Sequence, residues 1–102
     1  MEPRIKEKPV SKTDEKFKEP EQFKIILLND HYTTMEFVVE ILMSIFHKSI
    51  EDASKIMLDV HKKGRGIVGI YTWDIALTKA DQVHAAAKAD NYPLKCIVEP
   101  DR

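Results

Sequence analysis

The chain has 102 residues, 43% of them hydrophobic, which is enough for one modest core and a single domain. Its 16 basic and 17 acidic residues give a formal net charge of -1, so no general attraction to nucleic acid or an anionic membrane is expected. The single cysteine, Cys96, fits a reducing compartment and a buried apolar position, and no long apolar run is present. These features predict a cytoplasmic protein.

Residues 1–21 are predicted to form a disordered extension, because they contain 12 charged residues and three of the five prolines. Composition does not decide between a solubilising tail and an arm that is offered to a partner. Residues 22–102 are predicted to form the folded domain.

The domain opens with a corner between a strand and a helix. Residues 24–28 favour a short strand, and the turn formers Asn29 and Asp30 follow it. Thr33 and Glu36 have capping-box spacing, which predicts that the first helix begins one residue after Thr33. An amide oxygen and a carboxylate beside apolar side chains suit a small cationic ligand with an apolar group.

Two amphipathic helices are predicted next. The first ends near His47, and its apolar stripe has helical spacing at Val38, Ile41, Leu42, Ile45 and Phe46. The second begins after Ser49, which has Asp52 three residues on, and its stripe is Ala53, Ile56, Met57 and Val60. Gly64 ends it.

The three glycines Gly64, Gly66 and Gly69 have the spacing of a dinucleotide-binding fingerprint. Such a fingerprint leaves a strand and opens a helix, whereas here a helix ends and a strand at residues 67–71 begins. We therefore interpret the glycines as a helix cap, a turn and a closely packed strand position.

A third helix is predicted after Thr72, with core positions at Trp73, Ala76, Leu77, Ala80, Val83 and Ala87. Residues 90–93 end this helix, and Leu94, Cys96 and Val98 alternate as in a closing strand. The order βααβαβ predicts the α+β class, with a small sheet covered by helices on one side, but it does not fix the strand pairing.

No catalytic constellation accompanies these elements. The histidines lack metal-site spacing, and no nucleophile has a base and a third group near it; the histidines are His31, His47, His61 and His84. We expect neither an enzyme nor a metal or cofactor site.

Three motifs resemble the ClpS family of proteolytic adaptors. They are Asn-Asp-x-Tyr-Thr-x-Met-Glu-Phe-Val at residues 29–38, Met-Leu-x-Val-His at 57–61 and Pro-Leu-x-Cys at 93–96. The resemblance covers residues 21–99 and implies a three-stranded antiparallel sheet packed against three helices.

The resemblance also implies a site for the N-terminus of a substrate protein that begins with Phe, Leu, Trp or Tyr. Asn29, Asp30 and His61 are implied to bind the amine and the first peptide unit. The residues implied around the first side chain are Leu27, Thr33, Met35, Val38, Met57, Val60 and Leu94.

The implied partner is the N-terminal domain of a Clp-type AAA+ unfoldase, of the ClpA or ClpC type. The residues implied to contact it are Tyr71, Thr72, Asp74 and Lys79, with the N-terminal extension also engaging the unfoldase. Three positions depart from the family pattern: Thr34 replaces a usual proline, His31 a common second aspartate, and Leu77 an acidic residue. An alternative hypothesis is a stand-alone interaction domain of the same fold, related to the C-terminal domain of the ribosomal stalk protein, that binds a factor through its helical face.

Overall fold

The computed structural model describes residues 20–102, in which the elements follow the predicted order βααβαβ. Their bounds are Gln22–Leu28 for β1, Met35–Ser44 for α1, Ile50–Lys63 for α2, Arg65–Thr72 for β2, Trp73–Ala89 for α3 and Lys95–Pro100 for β3. The predicted extension, residues 1–21, lies outside the described residues apart from Pro20 and Glu21. Within residues 20–102, no helix combines the length and apolar character needed to cross a membrane.

The sheet has the strand order β2-β1-β3, and both pairings are antiparallel. The central strand is therefore β1, and β2 and β3 are the two edges. The register of β1 with β2 shifts between Ile25 and Ile26, which pair with Gly69 and Ile67. This arrangement confirms the α+β class and the antiparallel sheet that the family resemblance implied.

The core lies between one face of the sheet and the three helices. Ile25 and Leu27 of β1 are fully buried in it, together with Leu42 of α1 and Val83 of α3. Ile26 points to the opposite face because side chains alternate along a strand, and its register partners there are Ile67 and Ile97. The central strand thus has buried residues on both faces.

The N-terminus of α1 differs from its prediction by one residue. Thr34, not Thr33, is the N-cap residue, and its Oγ1 accepts a hydrogen bond from the backbone N–H of Phe37 at 3.1 Å. The hydroxyl of Thr33 donates instead to Asp30, so the predicted pairing of Thr33 with Glu36 is wrong.

The bounds of α2 follow the prediction. Ser49 Oγ accepts from the N–H of Asp52 at 3.1 Å. Gly64 ends the helix with φ of 88°, a conformation that glycine adopts at little cost. Gly66, predicted to lie in a turn, is instead in β2, where a Cβ would lie 2.8 Å from Val60 Cγ2.

Two predicted core positions of α3 are wrong. Trp73 is 47% exposed and Leu77 is 39% exposed, whereas Ala76, Ala80 and Ala87 are buried. Small side chains let this face of the helix lie close to the sheet, and Trp73 and Leu77 remain outside the contact. The ring of Trp73 packs on Phe23 instead, with the ring centroids 4.9 Å apart.

The helix α3 also contacts the edge strand β3. The backbone N–H of Cys96 donates to Nε2 of His84 at 3.1 Å. Cys96 is buried, as predicted, and burial together with the charge of Asp81 raises the pKa of its thiol to about 11.

Candidate functional site

A cavity of about 460 Å³ lies where the loop after β1 meets the start of α1 and the last turns of α2. Its lining combines carboxylate, amide and imidazole groups with aliphatic side chains. The lining residues are Asn29, Asp30, His31, Tyr32, Thr33, Thr34, Met35, Glu36, Val38, Met57, Val60 and His61.

The loop is built around the carboxylate of Asp30. Its Oδ1 accepts from the backbone N–H of Tyr32 at 2.8 Å and from that of Thr33 at 2.7 Å. Its Oδ2 accepts from the hydroxyl of Thr33 at 2.7 Å. These bonds turn the chain between β1 and α1, as is common for aspartate followed by a helix start.

The same bonds decide the ionisation of Asp30. Burial alone would raise the pKa of this carboxyl group, but the hydrogen bonds from Thr33 and Tyr32 and the proximity of His31 bring the pKa below its ordinary value. Asp30 is therefore an anion at neutral pH. A carboxylate offers roughly four lone-pair sites, so one acceptor direction is left for a ligand.

A backbone bond connects this loop to α2. The N–H of Asn29 donates to the carbonyl oxygen of Gly64 at 2.9 Å. His61 lies in the last turn of the same helix, three residues before Gly64. The bond thus brings Asn29, Asp30 and His61 to one cavity, although His61 is more than thirty residues away along the chain.

Aliphatic side chains from both helices form the rest of the lining. Met35 and Val38 come from α1, and Met57 and Val60 come from α2. Val38 and Val60 are buried, Met57 is partly buried, and Met35 is 42% exposed. The cavity therefore has a fixed aliphatic floor, and Met35 stands at its open side.

Eight of the ten ligand-binding residues predicted from the sequence line this cavity: Asn29, Asp30, Thr33, Met35, Val38, Met57, Val60 and His61. The structure does not bring Leu27 and Leu94 to it. Both are buried in the same core cluster as Val38 and Val60.

Four lining residues had no predicted contact with the ligand, namely His31, Tyr32, Thr34 and Glu36. Glu36 is the most informative of these, because it adds a second carboxylate to that of Asp30. A sequence signal existed: the predicted turn at Asn29 and Asp30 leads into the helix, and Glu36 lies in the first turn of that helix and so stays near it. Among residues 20–102, no group of three or more His, Cys, Asp or Glu is placed to hold a metal ion.

The four residues predicted to contact the unfoldase lie around the junction of β2 and α3. Lys79 has an internal role there: its Nζ donates to the carbonyl oxygen of Ile45 at 2.8 Å and lies 5.8 Å from the ring centroid of Tyr71. Thr72 is the N-cap residue of α3, without a side-chain hydrogen bond, and Asp74 is exposed.

Comparisons with known proteins point to one family. The family model of the ATP-dependent Clp protease adaptor protein ClpS matches residues 18–97. The ClpS adapter protein of Syntrophus aciditrophicus (strain SB) is 56% identical over 86 residues, which cover 84% of this chain and 80% of the relative. That of Treponema denticola is 58% identical over 85 residues, which cover 83% and 84% of the two chains.

A solved structure agrees with these relatives. Agrobacterium tumefaciens ClpS2 bound to L-phenylalaninamide matches with a TM-score of 0.79 and 35% sequence identity. The match covers 81% of this chain and 100% of that chain.

Proposed function

The chain belongs to the ClpS family of ATP-dependent Clp protease adaptors, and we propose that it binds proteins with an N-terminal Phe, Leu, Trp or Tyr and delivers them to a Clp-type AAA+ unfoldase. The observation that carries this proposal is the cavity in which amine acceptors and an aliphatic floor meet. The Agrobacterium relative is bound to L-phenylalaninamide, which has both a free amine and a benzyl side chain.

The chemistry of the cavity supports an ammonium ligand. A free α-ammonium group has three N–H donors, and the side chains of Asn29, Asp30 and His61 offer an acceptor each. The carboxylate of Glu36 also lines the cavity, and its negative charge attracts a cationic ligand even without a direct hydrogen bond. Hydrogen bonds to charged groups contribute about 1.5 to 3 kcal/mol each.

The aliphatic floor supports a large apolar first residue. Transfer of a Phe or Leu side chain from water contributes about 1.5 to 3 kcal/mol. Together with the bonded ammonium, this is consistent with micromolar affinity, for which the free energy is about -8 kcal/mol.

A peptide titration tests the site. A short peptide with an N-terminal Phe should bind, whereas the same peptide with an acetylated N-terminus, or with Ser in the first position, should bind at least tenfold more weakly. Asn29→Ala and His61→Ala should each reduce affinity for the free peptide by more than about 1 kcal/mol. The matched control is Lys62→Ala, next to His61 on α2 and outside the cavity lining. Equal affinity for the free and acetylated peptides would refute the amine site and favour the alternative of an interaction domain that ignores N-termini.

Delivery needs a second surface, for which we propose Tyr71, Thr72, Asp74 and Lys79 against the N-terminal domain of the unfoldase. Asp74 is the best position for a test, because it is exposed, whereas removing Lys79 would also remove a hydrogen bond to Ile45, the C-cap residue of α1. Asp74→Lys should abolish binding to the ClpA or ClpC N-terminal domain and leave peptide affinity unchanged. Asp81→Lys, elsewhere on α3, is the matched control. If Asp74→Lys binds the ClpA and ClpC N-terminal domains as tightly as the wild type does, the contact with the unfoldase lies elsewhere.

A further inference from the structure

A second cavity, of about 310 Å³, also borders the loop that follows β1. Four residues line both cavities: Asn29, Asp30, His31 and Tyr32. The loop is therefore a wall that the two cavities share. The remaining lining residues of the second cavity are Leu28, Pro93 and Lys95.

The walls of this second cavity are mainly apolar. Leu28, the last residue of β1, is partly buried, and Pro93 lies just before β3. Tyr32 is 77% exposed, so its ring is available to a ligand. These groups suit the methylene part of a side chain rather than a compact polar group.

The ionisable groups at this cavity are Asp30, His31 and Lys95. The Asp30 carboxylate already accepts three hydrogen bonds from Tyr32 and Thr33, which stabilise its negative charge within the loop. Lys95 is exposed, and within residues 20–102 it takes part in no ion pair. The cavity therefore presents one available ammonium group above an apolar surface.

We propose that this second cavity binds the side chain of the second residue of the substrate, and that it favours glutamate there. The inference rests on the proposed amine site. In an extended peptide, successive side chains point to opposite sides at intervals of about 3.3 Å. With the first side chain among Met35, Val38, Met57 and Val60, the second is directed across the shared loop, with its methylenes against Leu28 and its carboxylate toward Lys95.

His31 contributes to the same preference. Its side chain is exposed and lines both cavities, so it faces the path from the first residue to the second. An imidazole can donate a hydrogen bond to the carboxylate of the substrate. An acidic side chain at position 31 would instead repel that carboxylate. His31 and Lys95 are thus the residues that determine specificity at the second position.

The test uses three peptides that begin with Phe and differ only in the second residue, which is Glu, Gln or Lys. Exposed ion pairs contribute up to about 1 kcal/mol, so Glu should bind about two- to fivefold tighter than Gln, and Lys should bind more weakly than Gln. Lys95→Gln should remove the advantage of Glu over Gln. The matched control is Lys88→Gln, which lies outside this cavity and should keep the advantage.

Two further measurements locate the contact. In His31→Asp the advantage of Glu over Gln should reverse, and in the wild type it should decline as salt is raised from 50 to 500 mM. The methyl resonances of Leu28 should shift when the second residue is changed from Gly to Glu. If the Gln peptide binds well but Glu, Gln and Lys are equivalent, this inference is wrong and the amine site stands; if no Phe peptide binds, both are wrong.

Discussion

At the scale of single residues, the site depends on Asp30 more than on any other side chain. Its carboxylate holds the loop through two N–H groups and one hydroxyl, and it also lines both cavities. The sequence identified Asp30 as a turn former and as a ligand group. The structure shows the first role, and because the proposed ligand contact uses the same carboxylate, a substitution there is expected to alter both loop and ligand binding.

The role of Asp30 in the loop should appear in the pH dependence of stability. Because its folded-state pKa lies below the ordinary 3.8, its stabilisation is complete above that value and is lost as the pH falls through the folded-state pKa. Asp30→Asn should therefore lower the free energy of unfolding by about 1 kcal/mol at pH 7 and by much less at pH 2.5.

Urea denaturation at both pH values measures this difference. Asp59→Asn, an exposed change on α2, should shift the free energy of unfolding by less than about 0.5 kcal/mol at either pH. If wild type and Asp30→Asn differ equally at pH 7 and pH 2.5, the stabilisation does not come from the ionised carboxylate.

Met35 is expected to select among first residues. Its long side chain stands at the open side of the cavity, where it would collide with a methyl group on the Cβ of Ile or Val. Met35→Ala should raise the affinity of Ile and Val peptides relative to Leu by about threefold or more, as measured by fluorescence anisotropy. Met43→Ala removes an equally exposed methionine of α1 away from the cavity and should change nothing; an unaltered ratio in Met35→Ala would exclude Met35 as the selector.

At the scale of elements, the packing of α2 on β2 shapes the floor of the cavity. Gly66 of β2 lies so close to α2 that a Cβ would be 2.8 Å from Val60 Cγ2 and 3.3 Å from the carbonyl oxygen of Ile56. Val60 itself lines the cavity. A side chain at Gly66 would therefore press on Val60, a residue of the cavity floor.

Gly66→Ala tests this link. Overpacking should destabilise the fold by about 1 to 3 kcal/mol, and displacement of Val60 toward the cavity should weaken the binding of Trp peptides more than that of Leu peptides. The control is Gly69→Ala on the same strand, where the close atoms belong to the Tyr71 ring. Thermal unfolding measures the loss of stability, and peptide titration measures the loss of affinity. Equal losses of affinity for Trp and Leu peptides would argue against a shallower floor.

The elements themselves were largely predictable, because helical and alternating spacing depend on local sequence. Features that depend on contacts between residues were not predictable in this way. Thr33 and Thr34 are adjacent and chemically alike, and only the bond from Thr33 to Asp30 decides which of them caps α1. The resemblance implies Leu27 and Leu94 around the ligand, whereas both are buried in the core and neither lines the cavity. Spacing alone cannot tell which inward residues end at the cavity and which end in the core. Similarly, the spacing of Trp73 in α3 does not reveal that alanines make the closest contacts with the sheet.

At the scale of the whole molecule, binding and delivery are expected to separate. Among residues 20–102, the residues that line the cavity begin at Asn29, and we expect peptide binding not to need the N-terminal extension. The composition of this extension does not decide between a solubilising tail and an arm, whereas the family resemblance favours an arm for the partner.

A variant that lacks residues 1–17 should therefore keep its peptide affinity within about twofold and lose most of its acceleration of substrate degradation by the unfoldase and its protease. The control replaces these residues with a Gly/Ser segment of equal length, which separates sequence from mere length. If the truncated protein accelerates substrate degradation as much as the full chain does, the extension is only a solubilising tail.

The hydrogen bond from the backbone N–H of Cys96 to His84 limits how another polypeptide could pair with the outer edge of β3. Alternate residues direct their N–H groups to the same edge of a strand, so Cys96, Val98 and Pro100 share the outer edge of β3. The N–H of Cys96 is bonded to the imidazole, and proline has none, which leaves Val98 as the one donor of the three. A foreign polypeptide that approaches this edge cannot form a continuous ladder there. The β3 edge of the sheet therefore resists the addition of another polypeptide as a further strand.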